Sequence, residues 1–308
     1  MTRSTPERTS KKRYSGNRIS MHSNIIFNMI FILIAAICIA PLLLVAVISL
    51  TNETTILKNG YSFFPAKWSV AAYTYLFKGS GMIFHAYGVS IFVAVVGTVS
   101  SILITALYAY PLTRPNFRFK RLFSFLVYFT MIFSGGLVPW VMIYSRVLKL
   151  DNTILVLIIP YLMNAWYVMI LRTFMQQSIP EAVIESAKID GAGEFRTLFV
   201  IVLPLCKAGL ATVGLFSLLG YWNDWYLPLI FVTDKNVYNI QYLLYQILDN
   251  IQFLSSSNIG SAAQIAASLP SEGARMAIAI ISIGPIVLAY PFFQRYFIKG
   301  LTVGSVKG

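Results

Sequence analysis

The residues best suited to recognition chemistry lie in one short polar segment, residues 178–196, between long apolar stretches. Glu181, Glu185 and Lys188 recur at i, i+4 and i+7, which places them on one face of a helix. Two carboxylates and an ammonium group at this spacing suit ion pairs with another protein surface. The local chemistry also fits a solvated loop helix, so features elsewhere in the chain must decide between the two interpretations.

Local signals predict where this helix begins and ends. Ser178 and Glu181 have the spacing of a capping box, and Pro180 falls in the first turn, where its missing N–H costs nothing. Gly191 is predicted to end the helix in the left-handed conformation. An apolar strip completes the amphipathic pattern and consists of Val183, Ile184 and Ala187.

Reactive residue types are sparse in the rest of the chain. The two histidines, His22 and His85, have no partner at metal-ligand spacing, and the two cysteines, Cys38 and Cys206, lie in apolar stretches. We expect both cysteines to behave as small buried hydrophobes. An enzyme needs a convergent acid, base, nucleophile or metal cluster, and none is visible. We therefore predict no catalytic residue, no metal site and no cofactor held by this chain.

A second set of residues suits sugar binding, which combines aromatic faces with a few polar groups. The candidates for a substrate path are Asn164, Trp166, Tyr167, Trp222, Asn223 and Trp225, within a wider group that adds Trp140, Tyr144, Asp224 and Tyr226. Polar residues inside a membrane usually face a cavity or a partner helix, which favours Asn164 and Asn223. Trp and Tyr also collect at membrane interfaces whatever the function. An interfacial belt or partner contact for residues 222–226, and a helix-packing role for Asn164, stay open.

Composition indicates that lipid surrounds most of the chain. Of its 308 residues, 57% are hydrophobic and 11% are charged, whereas soluble domains carry about 25% charged residues. The net charge of +13 is distributed over short segments between apolar stretches. This distribution favours anchoring at the inner membrane leaflet over a nucleic-acid groove, so we predict no nucleic-acid partner.

The apolar runs predict an all-α membrane protein with six transmembrane helices, because lipid requires each backbone to satisfy its own hydrogen bonds. The predicted spans are approximately 25–50, 86–111, 121–144, 153–174, 198–231 and 274–298. Of the 24 Lys and Arg residues, 17 fall in segments that are inside if the N-terminus is inside. This excess predicts cytoplasmic termini, with residues 1–24 as a basic tail and residues 301–308 as a C-terminal tail.

The segment that follows Glu185 resembles the EAA loop of ABC-importer permeases. Glu185-Ser186-Ala187 is followed by Gly191 and then by Ile201-Val202-Leu203-Pro204, with every interval of that pattern met. Ser186 stands where a second alanine is usual, and its small side chain should preserve close packing. Further segments look like carbohydrate permeases of the MetI-like superfamily: Ser134–Trp140, Leu150–Thr153, Trp222–Trp225 and Gln294–Thr302. Others are similar to a subgroup associated with complex oligosaccharides: Asn239–Tyr245, Ser268–Ser271 and Gly304–Gly308.

The resemblance implies a type I ABC importer (MetI-like) fold over residues 25–300, in which residues 178–204 form the loop that couples to an ATPase. The residues it assigns to coupling are Glu181, Glu185, Ser186, Ala187, Asp190, Gly191, Leu203 and Pro204. It implies two ATPase subunits that bind ATP and Mg, a second homologous permease and an extracellular solute-binding protein. The implied substrate is a carbohydrate, with an oligosaccharide favoured, and the implied location is the cell membrane.

Two alternative functions remain at this point. One is a permease of an ABC importer for a solute other than a sugar. The other is a secondary transporter, a class that uses ionisable residues inside its spans or inverted repeats. Neither of those features is visible in the sequence, and the pattern between Glu185 and Pro204 would then have no explanation.

Overall fold

A computed structural model describes residues 21–78, 81–256 and 270–284, together with residues 286, 287, 289, 291, 293 and 294. All regular elements within these residues are helical, and the extended pairing there is one isolated bridge between Thr51 and Trp68. The two predicted tails lie outside the described residues, except for residues 21–24. Those four residues begin the first helix, and the tail boundary at 24 stays a prediction.

The first two predicted spans are continuous helices. The chain begins with α1 (Met21–Ser49), α2 (Glu53–Asn59), α3 (Ala71–Leu76) and α4 (Gly81–Thr113). Among the described residues, two helices, α1 and α4, are each long and apolar enough to cross a membrane without being joined to a second helix. Helix α4 extends beyond the predicted 86–111 at both ends and includes Pro111 near its C-terminus.

The third predicted span, 121–144, is broken rather than continuous. It consists of α5 (Lys120–Ile132), α6 (Leu137–Met142) and a π-helical turn (Ile143–Val147), with a bend of 117° between the two halves. The break coincides with Gly136, whose φ of 82° lies in the left-handed region that glycine tolerates. The glycine pair 135–136 therefore lies within the break, and Gly136 precedes the first turn of α6.

The fourth predicted span, 153–174, is also divided. Two 3₁₀ turns (Ile154–Leu157 and Ile159–Tyr161) meet α7 (Ala165–Ser178) at a bend of 53°. Asn164 begins α7, because its side-chain oxygen accepts a hydrogen bond of 2.8 Å from the backbone N–H of Trp166.

The rest of the described chain contains α8 (Glu181–Ile189), α9 (Glu194–Arg196), a π-helical turn (Thr197–Val202), α10 (Leu203–Leu205), α11 (Lys207–Trp222), α12 (Tyr226–Phe231), a 3₁₀ turn (Lys235–Val237), α13 (Ile240–Ser256) and α14 (Ser271–Ile283). The predicted fifth span, 198–231, bends by 84° next to Cys206. If each bent pair counts as one span, the described residues hold up to five spans. The predicted sixth span, 274–298, is described continuously as far as residue 284 and then at the six later positions given above.

Helix α4 joins two clusters of buried apolar side chains. One cluster contains Val93 of α4 together with side chains of α12, α13 and α14, such as Leu227 and Leu244. The other contains Ala109 of α4 together with side chains of α7 and α8, such as Leu171. Because α4 contributes to both, it forms a continuous connection between the two clusters.

The two cysteines differ in environment. Cys206 is buried beside the bend before α11, as predicted. Cys38 is exposed on α1, so the prediction that it is buried is wrong. Helix α1 packs on α14 near its last turn, where Ile48 is buried, whereas apolar side chains such as Phe31 lie on the exposed surface.

Glu53 on α2 fixes the start of α14. Its carboxylate accepts hydrogen bonds from the backbone N–H of Glu272 at 2.9 Å and of Gly273 at 3.0 Å, and from the Ser271 hydroxyl at 3.2 Å. A carboxylate at a helix N-terminus satisfies unpaired donors and interacts favourably with the helix dipole. The segment between α1 and α4 thus positions the last described helix.

Candidate functional site

Helix α8 presents one polar face and buries the opposite one. Ile184 and Ala187 are 4% and 6% exposed, and Ile184 belongs to the apolar cluster that includes α4 and α7. Glu181 and Glu185 are exposed. The far end of α8 projects furthest, since Ile189 is 86% exposed. The helix is therefore anchored along one side and open along the other.

Gly191 ends α8 with the hydrogen bonds of a Schellman motif. Its φ is 77°, and its N–H donates to the Lys188 carbonyl at 3.0 Å, while the Ala192 N–H donates to the Ala187 carbonyl at 2.9 Å. Asp190 is the exposed C-cap residue. These bonds make the end of α8 a defined turn, which confirms the predicted helix end.

The predicted start of α8 is wrong in detail. Pro180 is the N-cap residue and the helix begins at Glu181, with no side-chain hydrogen bond capping it. Ser178 belongs to the end of α7, so its hydroxyl is not placed for a capping box. The extended conformation of Pro180 separates the two helices, as expected of a residue that cannot donate a backbone hydrogen bond.

The remaining residues of the predicted coupling set lie along the same loop. The Ser186 hydroxyl donates to the carbonyls of Ala182 and Val183 at 3.0 and 3.1 Å, so α8 itself satisfies this group. Leu203 and Pro204 form the short α10 immediately before the 84° bend. The motif therefore runs from an exposed helix to the bend that precedes α11.

A polar link between α8 and α4 was not predicted from the sequence. Glu194 on α9 accepts a hydrogen bond of 2.5 Å from the Tyr110 hydroxyl of α4 and forms a 3.1 Å ion pair with Lys188. A cavity of about 350 Å³ lies beside these three residues. Tyr110 and Glu194 are 84 residues apart, so no local spacing could have identified this link.

Four of the predicted substrate-path residues meet in a second cavity, away from Glu194. Asn164, Tyr167, Asn223 and Trp225 line a cavity of about 370 Å³, which we call the aromatic cavity. Its lining is completed by Pro160, Tyr161, Met163, Ser217, Gly220, Tyr221, Asp224 and Tyr226. Aromatic faces and side-chain amides therefore converge on one space.

Trp166 and Trp222 lie away from this cavity. Trp222 is 3% exposed, and its indole N–H donates to the Ser282 carbonyl of α14 at 3.0 Å. Trp166 is exposed and packs edge-on against Phe216, with ring centroids 5.1 Å apart. Each of these two tryptophans therefore has a packing partner outside the cavity lining.

Asp224 organises the wall of the aromatic cavity. One carboxylate oxygen accepts hydrogen bonds from the backbone N–H of Tyr226 at 3.1 Å and of Leu227 at 3.3 Å, and from the Tyr161 hydroxyl at 3.3 Å. The first two bonds cap α12. The carbonyl of Asp224 accepts a further bond from the Asn239 side chain. This residue therefore holds three segments of the wall together.

Trp225 is the exposed aromatic ring at the margin of the cavity. It is 42% exposed and stacks on Tyr245 of α13, with ring centroids 4.9 Å apart and an interplanar angle of 21°. Tyr226 contacts it edge-on at 6.1 Å. Stacking of this kind restricts ring motion, which suits a surface that receives another flat apolar face.

Residues 101–303 match the family described as the binding-protein-dependent transport system inner membrane component. This region contains α8, the aromatic cavity and part of α4. The chain belongs to this family. It is an integral membrane permease component, as its long apolar helices also indicate.

Curated relatives match the permease over nearly its whole length. The polygalacturonan/rhamnogalacturonan transport system permease protein YtcP of Bacillus subtilis is 34% identical over 92% of this chain and 99% of its own. The arabinooligosaccharides transport system permease protein AraQ of Halalkalibacterium halodurans is 28% identical over 90% of this chain and 94% of its own.

A solved structure shares the fold. One chain from the crystal structure of a bacterial ABC transporter involved in the import of the acidic polysaccharide alginate superposes with a TM-score of 0.76 at 26% identity. The match covers 91% of the permease and 99% of that chain. The predicted ABC-importer permease fold is thereby confirmed, while the number of spans and the side of the termini stay predictions.

Proposed function

We propose that this permease passes an oligosaccharide across the cell membrane, powered by separate ATPase subunits that dock on α8. The observation that carries the proposal is the form of α8, which is anchored through Ile184 and open along Glu181 and Glu185. A rigid exposed rod with charged side chains is suited to receive a force from a partner and pass it to the helices behind it.

The docking surface proposed on α8 consists of Glu181, Glu185, Asp190 and the turn at Gly191. Among the described residues, the side chains of the three carboxylates have no polar partner. Charged groups at a protein interface contribute specificity when the partner supplies the opposite charge. Ser186 is small and exposed, which permits close approach, whereas Ala187 lets α8 pack closely on the bundle behind it. Leu203-Pro204 leads from the loop into the membrane.

The aromatic cavity supports a carbohydrate as the substrate. Tyr161, Tyr167 and Trp225 offer ring faces to the apolar side of a sugar, and Asn164 and Asn223 offer amide groups to its hydroxyls. The names of the relatives refer to polygalacturonan, rhamnogalacturonan and arabinooligosaccharides, which are saccharides. We extend that substrate class, although not any one of these sugars, to this permease.

The arrangement we propose has six spans, cytoplasmic termini, a second homologous permease and an extracellular solute-binding protein. The exposed apolar surface of α1 supports a neighbouring membrane protein or lipid along that helix. The surplus of basic residues in the predicted inner segments supports α8 on the cytoplasmic side, where ATP and Mg would be bound by the ATPase subunits.

The docking role is tested by reversing one charge on α8. Glu185→Lys should lower retention of the ATPase subunits in the purified complex by at least about 30-fold, because loss of an interfacial charge pair costs ~2–5 kcal/mol. Asp249→Lys reverses an exposed carboxylate on α13 and is the matched control. Full retention of the ATPases by Glu185→Lys would contradict the docking role.

The substrate class is tested with the whole complex in liposomes. We expect ATP hydrolysis to rise when the binding protein carries an oligosaccharide, compared with a monosaccharide or a non-sugar solute. Stimulation confined to a non-sugar solute would place the permease in a different substrate class.

A further inference from the structure

Glu194 uses both of its carboxylate oxygens to join α8 and α4. Oε1 lies 3.1 Å from the Lys188 Nζ of α8, and Oε2 accepts the hydrogen bond from the Tyr110 hydroxyl. Among the described residues, no other side chain of α8 or α9 makes a polar contact with α4. The carboxylate therefore connects the exposed helix α8 to the long helix α4.

The Tyr110 side of this link is held firmly. The ring is 5% exposed, and the Arg114 guanidinium lies 4.8 Å from its centroid. Arg114 also donates through Nε to the Thr113 hydroxyl at 3.0 Å, and that hydroxyl donates to the Tyr110 carbonyl at 2.7 Å. The phenol ring is thus buried and covered by the guanidinium, which restricts its movement relative to α4.

Helix α4 leads from this link to the aromatic cavity. Gly97 of α4 lies against the ring of Tyr221, which lines the cavity. It is 13 residues from Tyr110, or about 20 Å along a straight helix. Further along, the Ser90 hydroxyl accepts a 2.8 Å hydrogen bond from the Ile240 N–H of α13. One continuous helix therefore contacts Glu194 through Tyr110 and the cavity wall through Gly97.

The covalent route from α8 to the cavity is less direct. It passes through the π-helical turn Thr197–Val202 and the 84° bend next to Cys206 before α11 begins. Apolar packing of Ile184 also holds α8 against the bundle. Such packing is non-directional, however, whereas a hydrogen bond and an ion pair have a defined geometry.

We propose that Glu194 is a positioning residue that fastens α8 to α4, so that displacement of α8 reaches the aromatic cavity through α4 as well as along the chain. This inference rests on the proposed docking role of α8. Lys188 and Tyr110 are the two attachment points, and Glu194 acts through them without touching the substrate or the ATPase.

The test uses the complete complex in liposomes and measures the amount of sugar transported per ATP hydrolysed. Glu194→Gln and Tyr110→Phe should each lower this ratio roughly 3- to 10-fold, because each removes a partly exposed, charge-assisted contact. The double variant should be no worse than the poorer single one, since both changes break one link. Retention of the ATPase subunits should equal that of the unaltered complex.

Tyr108→Phe is the matched control, because Tyr108 lies on the same helix and donates its hydroxyl to the Phe123 carbonyl at 3.0 Å. That variant should keep the transport-to-hydrolysis ratio. An unchanged ratio in Glu194→Gln, or strictly additive losses in the double variant, would overturn the inference. Loss of the ATPases from Glu194→Gln would also overturn it, since Glu194 would then belong to the docking surface.

Failure of the inference is distinguishable from failure of the proposed function. If Glu185→Lys keeps its ATPase subunits, the docking role of α8 is wrong whatever Glu194 does. If Glu185→Lys loses them while Glu194→Gln transports normally, α8 docks the ATPase and the link to α4 is dispensable. A purely structural role for Glu194 would lower the melting temperature and leave the transport-to-hydrolysis ratio unchanged.

Discussion

Glu185 on α8 and Asp224 in the aromatic cavity are both carboxylates, yet the chain surrounds them in different ways. Glu185 is exposed, and its side chain has no polar partner among the described residues. Asp224 is 7% exposed and accepts hydrogen bonds from Tyr161, Tyr226 and Leu227. The carboxylate of Glu185 is accessible to another protein, whereas the carboxylate of Asp224 is occupied by hydrogen bonds within the wall of the aromatic cavity.

The same contrast extends to the surfaces around the two carboxylates. Charged groups dominate the open face of α8, which suits a protein partner of opposite charge. Rings and amides dominate the aromatic cavity, which suits a polar molecule with an apolar face. A substitution on or next to α8 should therefore disturb docking, whereas one beside the aromatic cavity should disturb the shape of that cavity. Four substitutions test how far the two effects are separate.

The largest effect is expected from Gly97→Ala, on the cavity side. The new Cβ would lie 2.6 Å from the Tyr221 ring, which is buried and donates its hydroxyl to the Ile158 carbonyl. Overpacking of this kind costs about 1–3 kcal/mol. Thermal unfolding of the purified complex should therefore occur at lower temperature, and transport should fall while the ATPases stay bound.

Gly88→Ala on the same helix is the control for that change. A methyl group on Gly88 would have no neighbouring atom within 4 Å, so alanine should be neutral or stabilising through its higher helix propensity. If both alanine variants behaved alike, close packing of α4 on Tyr221 would not determine the shape of the cavity.

The next effect is expected from Gly191→Val, on the docking side. The surroundings are open, but φ is 77°, and a left-handed residue with a side chain costs roughly 1–2 kcal/mol. Retention of the ATPases should fall about 5- to 30-fold, the factor that corresponds to this cost. Gly191→Asn, which tolerates this conformation, should retain them better, and equal losses would exclude backbone strain as the cause.

A smaller effect on stability is expected when the carboxylate of Asp224 is removed. Asp224→Ala removes the cap of α12 and should destabilise the complex by about 1 kcal/mol, whereas Asp224→Asn keeps a capping oxygen and should lose less. Chemical denaturation of the two variants measures the difference. If Asp224→Asn lost more stability than Asp224→Ala, the negative charge of Asp224 would matter more than its capping bonds. Asp224 would then resemble Glu185 in acting through its charge.

The smallest effect is expected from Ser186→Ala, which restores the residue usual in the EAA pattern. The hydroxyl bonds only to carbonyls of its own helix, and alanine has the higher helix propensity. Stability and ATPase retention should change by no more than ~0.5 kcal/mol. A marked loss of retention would show that this hydroxyl contacts the ATPase and would enlarge the docking surface.

Sequence reasoning succeeded where neighbouring residues define the structure. The end of α8 at Gly191 and the burial of Ile184 and Ala187 follow from spacing within one helix. The capping box at Ser178 failed because Pro180, in an extended conformation, is the residue that precedes the first turn of α8. Three predicted spans are broken, at residues 135–136, 162–164 and 206. The sequence did not predict these breaks, because a run of apolar residues indicates contact with lipid but does not show that the helix is continuous.

The amino-acid sequence by itself determined that this chain enters a membrane and carries an exposed loop helix before its fifth predicted span. Composition and helical spacing are properties of contiguous residues, so both can be read directly. Only the tertiary structure decided that Asn164 and Asn223 share a cavity, that Trp222 turns towards Ser282, and that Glu194 meets Tyr110. These partners are about 60 to 84 residues apart, and the bends that bring them together depend on packing between helices.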